Sequence, residues 1–160
     1  MPARYAERPE DLASRAEAAA MTGLEFLEAM IEGRISAPPI ARVLDFALTE
    51  AAPGLAVFRG VPRFDFANPM GTLHGGWYGA ILDSAMGCAV MSVVPRGFWY
   101  TTLEYKVNLV RAVAFGTEVE ARGTVAHAGR TTAVAEGALR GTADGRLYAT
   151  ATTTCLVMAL

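Results

Sequence analysis

The sequence predicts an α+β fold in which a strongly curved antiparallel sheet wraps around one long helix. One segment, Trp77 to Val94, is apolar at thirteen of its eighteen positions and contains a single charged residue, Asp83. Two strand-like segments precede it and four follow it. A helix that is apolar on most faces must be surrounded, and one layer of sheet covers only one side of it.

Length and composition indicate one domain. The chain has 160 residues, of which 52% are hydrophobic and 19% charged, and its formal net charge is −2. Such a balance argues against a nucleic-acid-binding protein, which would carry a basic patch. Cys88 and Cys155 show no CxxC spacing, as expected in the reducing cytoplasm. Asp83 argues against a membrane span, and the charged start of the chain against a secretory signal.

The first predicted element is a helix over residues 11–34, with a break near Thr22 and Gly23. Thr22 is a suitable N-cap, and Glu25 three residues later would complete a capping box. Gly33 and the prolines that follow are typical of a helix end. We expect this helix to pack on the outside of the domain.

The hydrophobic period changes after Ile40. Leu44, Phe46 and Leu48 alternate with other residues, and Pro53-Gly54 predicts a turn into a second strand, Leu55–Val61. A loop over residues 62–76 leads into the long helix, which ends at Pro95-Arg96-Gly97. The predicted strands after that helix are residues 102–111, 118–125, 131–140 and 146–157, the last two joined by an Asp-Gly turn.

Asp83 is the only carboxylate between Asp65 and Glu104. Charged residues are rarely buried without a partner. The residue is therefore either a core aspartate that hydrogen-bonds a neighbouring group, or a carboxylate placed in a water-poor cleft as nucleophile or general base. Its isolation in the sequence does not decide between the two.

Two glycines stand at the predicted start of the long helix. Gly75 and Gly76 would let a ligand approach the backbone, and free N–H groups there can stabilise a developing negative charge, as acyl transfer requires. The alternative is an ordinary glycine turn. Gly75 and Asp83 are about 12 Å apart along a helix, so one copy can hardly bring both to one carbonyl. Two antiparallel copies can, which predicts a dimer with sites at its interface.

Other catalytic arrangements are missing from the sequence. The two histidines, His74 and His127, form no metal-ligand cluster, and there is no GxSxG, P-loop or GxGxxG motif. We therefore expect no metal or cofactor. Arg111 and Arg130 end strands beside turns, where arginine is commonly solvated but can also bind phosphate.

The run Asn68–Gly76, NPMGTLHGG, followed by Asp83 eight residues after Gly75, resembles the hotdog-fold acyl-CoA thioesterases of the phenylacetate-degradation (PaaI-like) type. The similarity continues through residues 102–111 and Gly129-Arg130. It implies a hotdog fold over residues 40–160, preceded by an N-terminal helical extension over residues 1–39. It also implies a homodimer, often paired into a tetramer; the cysteine usage and the charged N-terminus lead us to expect this assembly in the cytoplasm.

The resemblance implies acyl-CoA hydrolysis with specific roles. Asp83 corresponds to the catalytic carboxylate, as nucleophile or general base, and the Gly75 N–H to the group that polarises the thioester carbonyl. Asn68 corresponds to an amide near that carbonyl, and His74 to a histidine beside the thioester and pantetheine arm. Relatives often carry Ser or Thr one turn after the acid, where this chain has Gly87, which puts that water-positioning role in doubt.

The remaining implied contacts are with substrate. Gly76 stands at the helix start, and Arg111, Arg130, Thr131 and Thr132 match regions that contact the CoA arm or nucleotide from the neighbouring subunit. The acyl group is left open between aromatic and medium-chain. Two alternatives are a non-catalytic acyl-CoA-binding hotdog protein, which would not need the acid, and a hotdog hydroxyacyl-thioester dehydratase, which pairs a histidine with an acid differently.

Overall fold

The computed structural model describes residues 4–160; residues 1–3, the start of the predicted N-terminal extension, lie outside this range. The elements follow the predicted order of helix, two strands, long helix and four strands. The helices are α1 (Arg15–Ala19), α2 (Gly23–Ile31), α3 (Pro39–Val43) and α4 (Gly75–Met91). The strands are β1 (Phe46–Ala52), β2 (Leu55–Gly60), β3 (Phe98–Leu109), β4 (Val119–Ala128), β5 (Thr132–Gly141) and β6 (Leu147–Ala159).

The six strands form one antiparallel sheet in the order β1-β2-β4-β5-β6-β3. Strand β3 lies at one edge and pairs only with β6 among the described residues. Helix α4 contacts all six strands. The predicted α+β fold, a sheet around one helix, is confirmed.

Helix α4 is buried because it is apolar on almost every side. Ile81, Leu82, Ala85 and Met86 are fully buried in the core. The sheet comes very close to the helix at Gly123, where an added Cβ would overlap the Ala85 carbonyl oxygen. Glycine at this position is what allows the backbone of β4 to contact the helix backbone directly.

The N-terminal helix is broken as the sequence predicted. Thr22 caps α2: its hydroxyl accepts from the Glu25 N–H at 3.3 Å, and the Glu25 carboxylate accepts from the Thr22 N–H at 2.7 Å. This helix lies on the outside of the domain and joins the core through one face. Leu27 and Met30 belong to the same core cluster as α4, because the apolar face of α2 covers a part of α4 that the sheet leaves open.

Two element boundaries also differ from the predictions. Residues 38–43 were not predicted as helical, yet Pro39 opens α3, since proline at the first helical position sacrifices no hydrogen bond. Strand β3 begins at Phe98, four residues before the predicted start at Thr102. Within residues 4–160, no helix is both long enough and apolar enough to span a bilayer.

Candidate active site

Asn68 organises the loop that leads into α4. Its Oδ1 accepts from the N–H groups of Met70, at 2.9 Å, and Thr72, at 3.2 Å, and its Nδ2 donates to the Thr72 hydroxyl at 2.8 Å. The side chain thus holds the turn that carries the helix start. In this arrangement both ends of the Asn68 amide are hydrogen-bonded within the loop. A role of this amide near a substrate carbonyl stays a prediction.

His74 is the N-cap of α4. Its Nδ1 accepts from the Gly76 N–H at 2.9 Å, which leaves Nε2 as the donor of the ring. The next residue, Gly75, is exposed, and its N–H has no acceptor within residues 4–160. A free N–H at a helix start attracts negative charge because the helix dipole adds to its own. The Gly75 N–H is therefore a free donor at the helix start, whereas the Gly76 N–H is occupied; the role of Gly75 as an oxyanion donor stays a prediction.

Asp83 lies in the middle of α4 and is partly buried. The Thr102 hydroxyl on β3 donates to Asp83 Oδ1 at 2.9 Å. Burial raises the pKa of the Asp83 carboxyl, and the hydrogen bond from Thr102 opposes that rise because it stabilises the charged form. The carboxylate has only this one side-chain hydrogen bond among the described residues, so Oδ2 remains available to a water or a substrate.

Asp83 borders an apolar cavity of about 460 Å³ between α4, α2, α3 and the first hairpin. This volume is in the range of small-molecule sites. Its apolar lining comes largely from residues N-terminal to the long helix: Met30, Ile31, Ala37, Pro38, Ile40, Ala41, Phe46, Ala47, Leu48 and Phe58. A carboxylate beside such a lining is placed to act on a reacting group whose apolar portion fills the cavity.

Some large side chains of α4 do not reach this cavity. Trp77, Tyr78 and Met86 are buried in the core and do not line this cavity. The alternation of Phe46 and Leu48 could have placed both on the inner face of the first hairpin. No local signal places α2 and α3 over Asp83, because that depends on how the N-terminal segment packs.

The face of α4 that meets β3 carries three glycines, Gly75, Gly79 and Gly87, in a row with Asp83 at intervals of four residues. An added Cβ would lie 3.4 Å from Leu109 at Gly75 and 3.1 Å from the Tyr105 hydroxyl at Gly79. The spacing of four residues keeps this row on one side of the helix. Glycine at these positions lets β3 approach closely, which brings Thr102 to Asp83.

The predicted CoA contacts are spread over the chain. Arg111 is exposed, and its guanidinium donates to the Leu147 carbonyl oxygen at 3.2 Å. Arg130 lies at the turn between β4 and β5, together with exposed Thr131 and Thr132, and borders a hollow beside Pro95 at the far end of α4. A single chain does not bring these groups together, so their shared role stays a prediction.

No cluster of three or more His, Cys, Asp or Glu side chains that could hold a metal occurs among residues 4–160.

Cys88 and Tyr100 lie near Asp83 and share its cavity. Burial raises the pKa of the Cys88 thiol to about 12, and burial together with Cys88 and Asp83 raises the pKa of the Tyr100 hydroxyl well above its ordinary value. Both groups are therefore neutral near pH 7.

This architecture, an antiparallel sheet wrapped around one central helix, is a hotdog fold. The family model described as the thioesterase superfamily matches residues 70–149, half of the chain and the part that contains Gly75 and Asp83. The chain therefore belongs to the thioesterase superfamily of hotdog proteins. Membership of this superfamily points to thioester hydrolysis as the class of activity.

Solved structures agree with this assignment. A conserved protein from Pseudomonas aeruginosa is 30% identical, with 74% of this chain and 93% of that chain covered and a TM-score of 0.69. A mutant of the phenylacetic acid degradation protein PaaI from Thermus thermophilus is also 30% identical, with 74% and 97% covered and a TM-score of 0.67. The predicted PaaI-like resemblance is confirmed.

A further structural neighbour was solved with a ligand. A hypothetical thioesterase protein with coenzyme A from Streptococcus pneumoniae is 25% identical, with 72% of this chain and 87% of that chain covered and a TM-score of 0.65. The comparison with curated proteins returned no match.

Proposed function

We propose that this protein hydrolyses acyl-CoA thioesters to the free acid and CoA, with Asp83 as the catalytic carboxylate. The observation that carries the proposal is the partly buried Asp83 carboxylate, with one oxygen available, at the border of an apolar cavity. The relative that was solved with coenzyme A supports the choice of CoA as the carrier. The acyl group enters the cavity, and the thioester carbonyl lies at its mouth.

The Gly75 N–H is the proposed oxyanion donor. As the carbonyl carbon is attacked, negative charge develops on its oxygen, and a preorganised N–H at the helix start stabilises that charge more than it stabilises the ground state. His74 holds the helix start in place through the Gly76 N–H, and the residue is exposed, as contact with the pantetheine arm requires.

Asp83 can act in either of two ways. As a general base it takes a proton from a water whose oxygen bonds to the carbonyl carbon; the C–S bond then breaks and CoA leaves as the thiolate. As a nucleophile it bonds to the carbonyl carbon itself, expels CoA and forms an anhydride that water hydrolyses. In both routes the products are one carboxylic acid and one CoA, and the carboxylate is regenerated.

A complete site requires a second copy of the chain, and we propose a cytoplasmic homodimer. The edge strand β3 carries exposed apolar side chains, among them Leu103 at 57% and Leu109 at 55%. An exposed apolar edge favours pairing with another strand. Gly75 lies near Leu109 and Asp83 near Thr102.

Antiparallel pairing of two β3 strands around Tyr105 would set Leu109 of one copy opposite Thr101 of the other, next to Thr102. Gly75 would then approach Asp83 of the second copy, so that one carbonyl could reach both groups. Arg111, Arg130, Thr131 and Thr132 are proposed CoA contacts in that assembly, and pairing of two dimers would give a tetramer.

Cys88 and Cys155 are both free thiols, which is consistent with the proposed cytoplasmic compartment, because the cytoplasm is reducing.

The proposal is tested with a panel of aromatic and aliphatic acyl-CoAs, in which a thiol reagent measures the CoA released. Wild-type protein should release CoA from part of the panel, and Asp83→Asn should lower turnover by about 10² or more. Acyl-CoA binding measured by calorimetry should change little in the variant. Binding of acyl-CoA without any release by the wild-type protein would contradict hydrolysis and indicate a non-catalytic acyl-CoA-binding protein.

A further inference from the structure

A second cavity, which we call the distal cavity, lies beneath the N-terminal helices. Its volume is about 410 Å³, close to that of the cavity at Asp83. It is half open to solvent, and the residues that line it are predominantly apolar: Leu12, Ala13, Ala18, Phe26, Leu27, Met30, Pro38, Cys88, Met91, Trp99, Tyr100 and Leu160. Arg15 and Ser36 also line it. Most of this lining lies outside residues 70–149, the part that matches the superfamily.

The two cavities are neighbours that share a wall. Four residues line both of them: Met30, Pro38, Cys88 and Tyr100. Asp83 is on one side of this wall, and the space beneath α1 is on the other. A molecule that enters at Asp83 and extends away from it therefore reaches the distal cavity next.

The shared wall can admit an apolar chain. Met30 has a flexible, unbranched side chain that can change rotamer at low cost. The Cys88 thiol and the Tyr100 hydroxyl are neutral, so no charge must be desolvated when an apolar group passes them. A change of the Met30 rotamer would thin the wall between the two cavities without any movement of the backbone.

The distal cavity also differs from a packed core. Ser36 is 5% exposed, and its buried hydroxyl has no hydrogen-bond partner within residues 4–160. Buried hydroxyls are normally paired, and well-packed cores leave few voids larger than a water molecule. A largely apolar, half-open space of this size next to the candidate site has the character of a ligand compartment.

We propose that the distal cavity receives the far end of a long, unbranched acyl chain whose thioester lies at Asp83. This inference rests on the proposed thioesterase function and chooses a substrate class for it. Short acyl groups fill only the cavity at Asp83. Longer ones pass Met30 and bury their remaining methylenes beneath α1 and α2, so the N-terminal helices set the preference for chain length.

The test compares hydrolysis of butyryl-, hexanoyl-, octanoyl-, decanoyl- and dodecanoyl-CoA. In the wild-type protein, kcat/KM should rise toward the longer chains, by about tenfold for every two methylenes buried. Ala18→Phe places a ring in the distal cavity and should lower kcat/KM for dodecanoyl-CoA by about tenfold or more, while the value for butyryl-CoA is unchanged. Ala16→Phe adds the same ring to the exposed side of α1 and should keep the wild-type profile.

Folding of each variant is checked by circular dichroism. If Ala18→Phe does not fold, Ala13→Phe at the less buried part of the same cavity replaces it, with the same expected result. A folded blocking variant that keeps the wild-type chain-length profile would overturn the inference. So would an equal loss for butyryl- and dodecanoyl-CoA.

Trp99 supplies a readout that does not need catalysis, because its side chain borders the distal cavity. Dodecanoate should change the tryptophan fluorescence of the wild-type protein, and butyrate should not. The change should disappear in Trp99→Phe and in Ala18→Phe. If no acyl-CoA is hydrolysed but this pattern is observed, the proposed function fails and the distal site stands. Hydrolysis with no fluorescence response to dodecanoate would count against the distal site alone.

Discussion

A Cβ atom added at Gly87 would lie 2.6 Å from the hydroxyl oxygen of Tyr100 and 2.9 Å from its Cε2. Position 87 is one turn after Asp83 on α4, and Tyr100 is two residues before Thr102 on β3. The phenol therefore occupies the space into which a side chain at position 87 would project. Glycine at position 87 makes room for the ring of Tyr100 near Asp83. This explains why the chain has glycine where relatives often carry Ser or Thr.

Gly87→Ala should therefore destabilise the protein, although glycine to alanine inside a helix ordinarily stabilises by about 1 kcal/mol. We expect the free energy of unfolding to fall by about 1–3 kcal/mol, since the ring of Tyr100 must move. Urea denaturation measures the difference. The control is Gly79→Ala, where the nearest atom is the hydroxyl of half-exposed Tyr105. Equal stabilisation by both substitutions would contradict the close contact.

Gly75→Pro should abolish the oxyanion donor while α4 remains folded. Proline is favoured at the first helical position, and His74, with φ −66° and ψ 136°, already has the extended conformation that precedes proline. The loss of one preorganised donor should lower kcat by about 10²–10³. Gly75→Ala keeps the N–H and is the matched control. Comparable activity of the proline and alanine variants would show that this N–H is not used.

Thr102→Val should shift the pH dependence of hydrolysis. The reaction needs the charged form of Asp83, and burial raises the pKa of this carboxyl. As the pH is lowered, activity should therefore be lost at a higher pH than an ordinary aspartate would give. Removing the Thr102 hydroxyl removes the hydrogen bond that favours the charged form, and the acidic limb should move further upward. Thr101→Val, at the exposed neighbouring position, should leave the limb unchanged. The profile of kcat/KM against pH checks this.

Asp83→Asn should raise the melting temperature near neutral pH as it lowers turnover. A carboxyl whose pKa is raised by folding binds a proton more tightly in the native state than in the unfolded state. Its contribution to stability therefore falls as the pH rises from the pKa of the unfolded state to the higher pKa of the native state. Asparagine removes the buried charge and can still accept from Thr102. The gain in melting temperature should vanish at low pH, where Asp83 is protonated. A lower melting temperature at pH 7 would indicate that the charge has a structural partner.

Mixing the two inactive variants tests whether the site is shared between subunits. When Asp83→Asn and Gly75→Pro chains exchange subunits, each mixed dimer should contain one site with both defects and one intact site. Random exchange makes about half of the dimers mixed, so roughly a quarter of the wild-type activity should return. Absence of recovery, with exchange verified by differently tagged chains, would show that no site combines Gly75 of one subunit with Asp83 of the other.

Most of the helices and strands, and both ends of the candidate site, could be predicted from the sequence alone. Alternation and turn residues predicted the first hairpin and the four later strands, and the apolar length of the central helix required a sheet around it. Asp83 was conspicuous because it is the one charge in an apolar helix, and Gly75 because two glycines stand at that helix start. These signals are local, since hydrophobic period, capping and turn chemistry act over a few neighbouring residues.

The surroundings of Asp83 could not be predicted in this way, because they depend on contacts between distant segments. Its hydrogen bond comes from Thr102, nineteen residues away, and the cavity beside it is walled by α2, α3 and the first hairpin, which come before α4 in the chain. The match of Gly87 to Tyr100 and the distal cavity likewise depend on segments that meet across the fold. The shape of a cavity follows from how side chains distant in sequence fill or fail to fill a shared volume, and no periodicity within one segment encodes it.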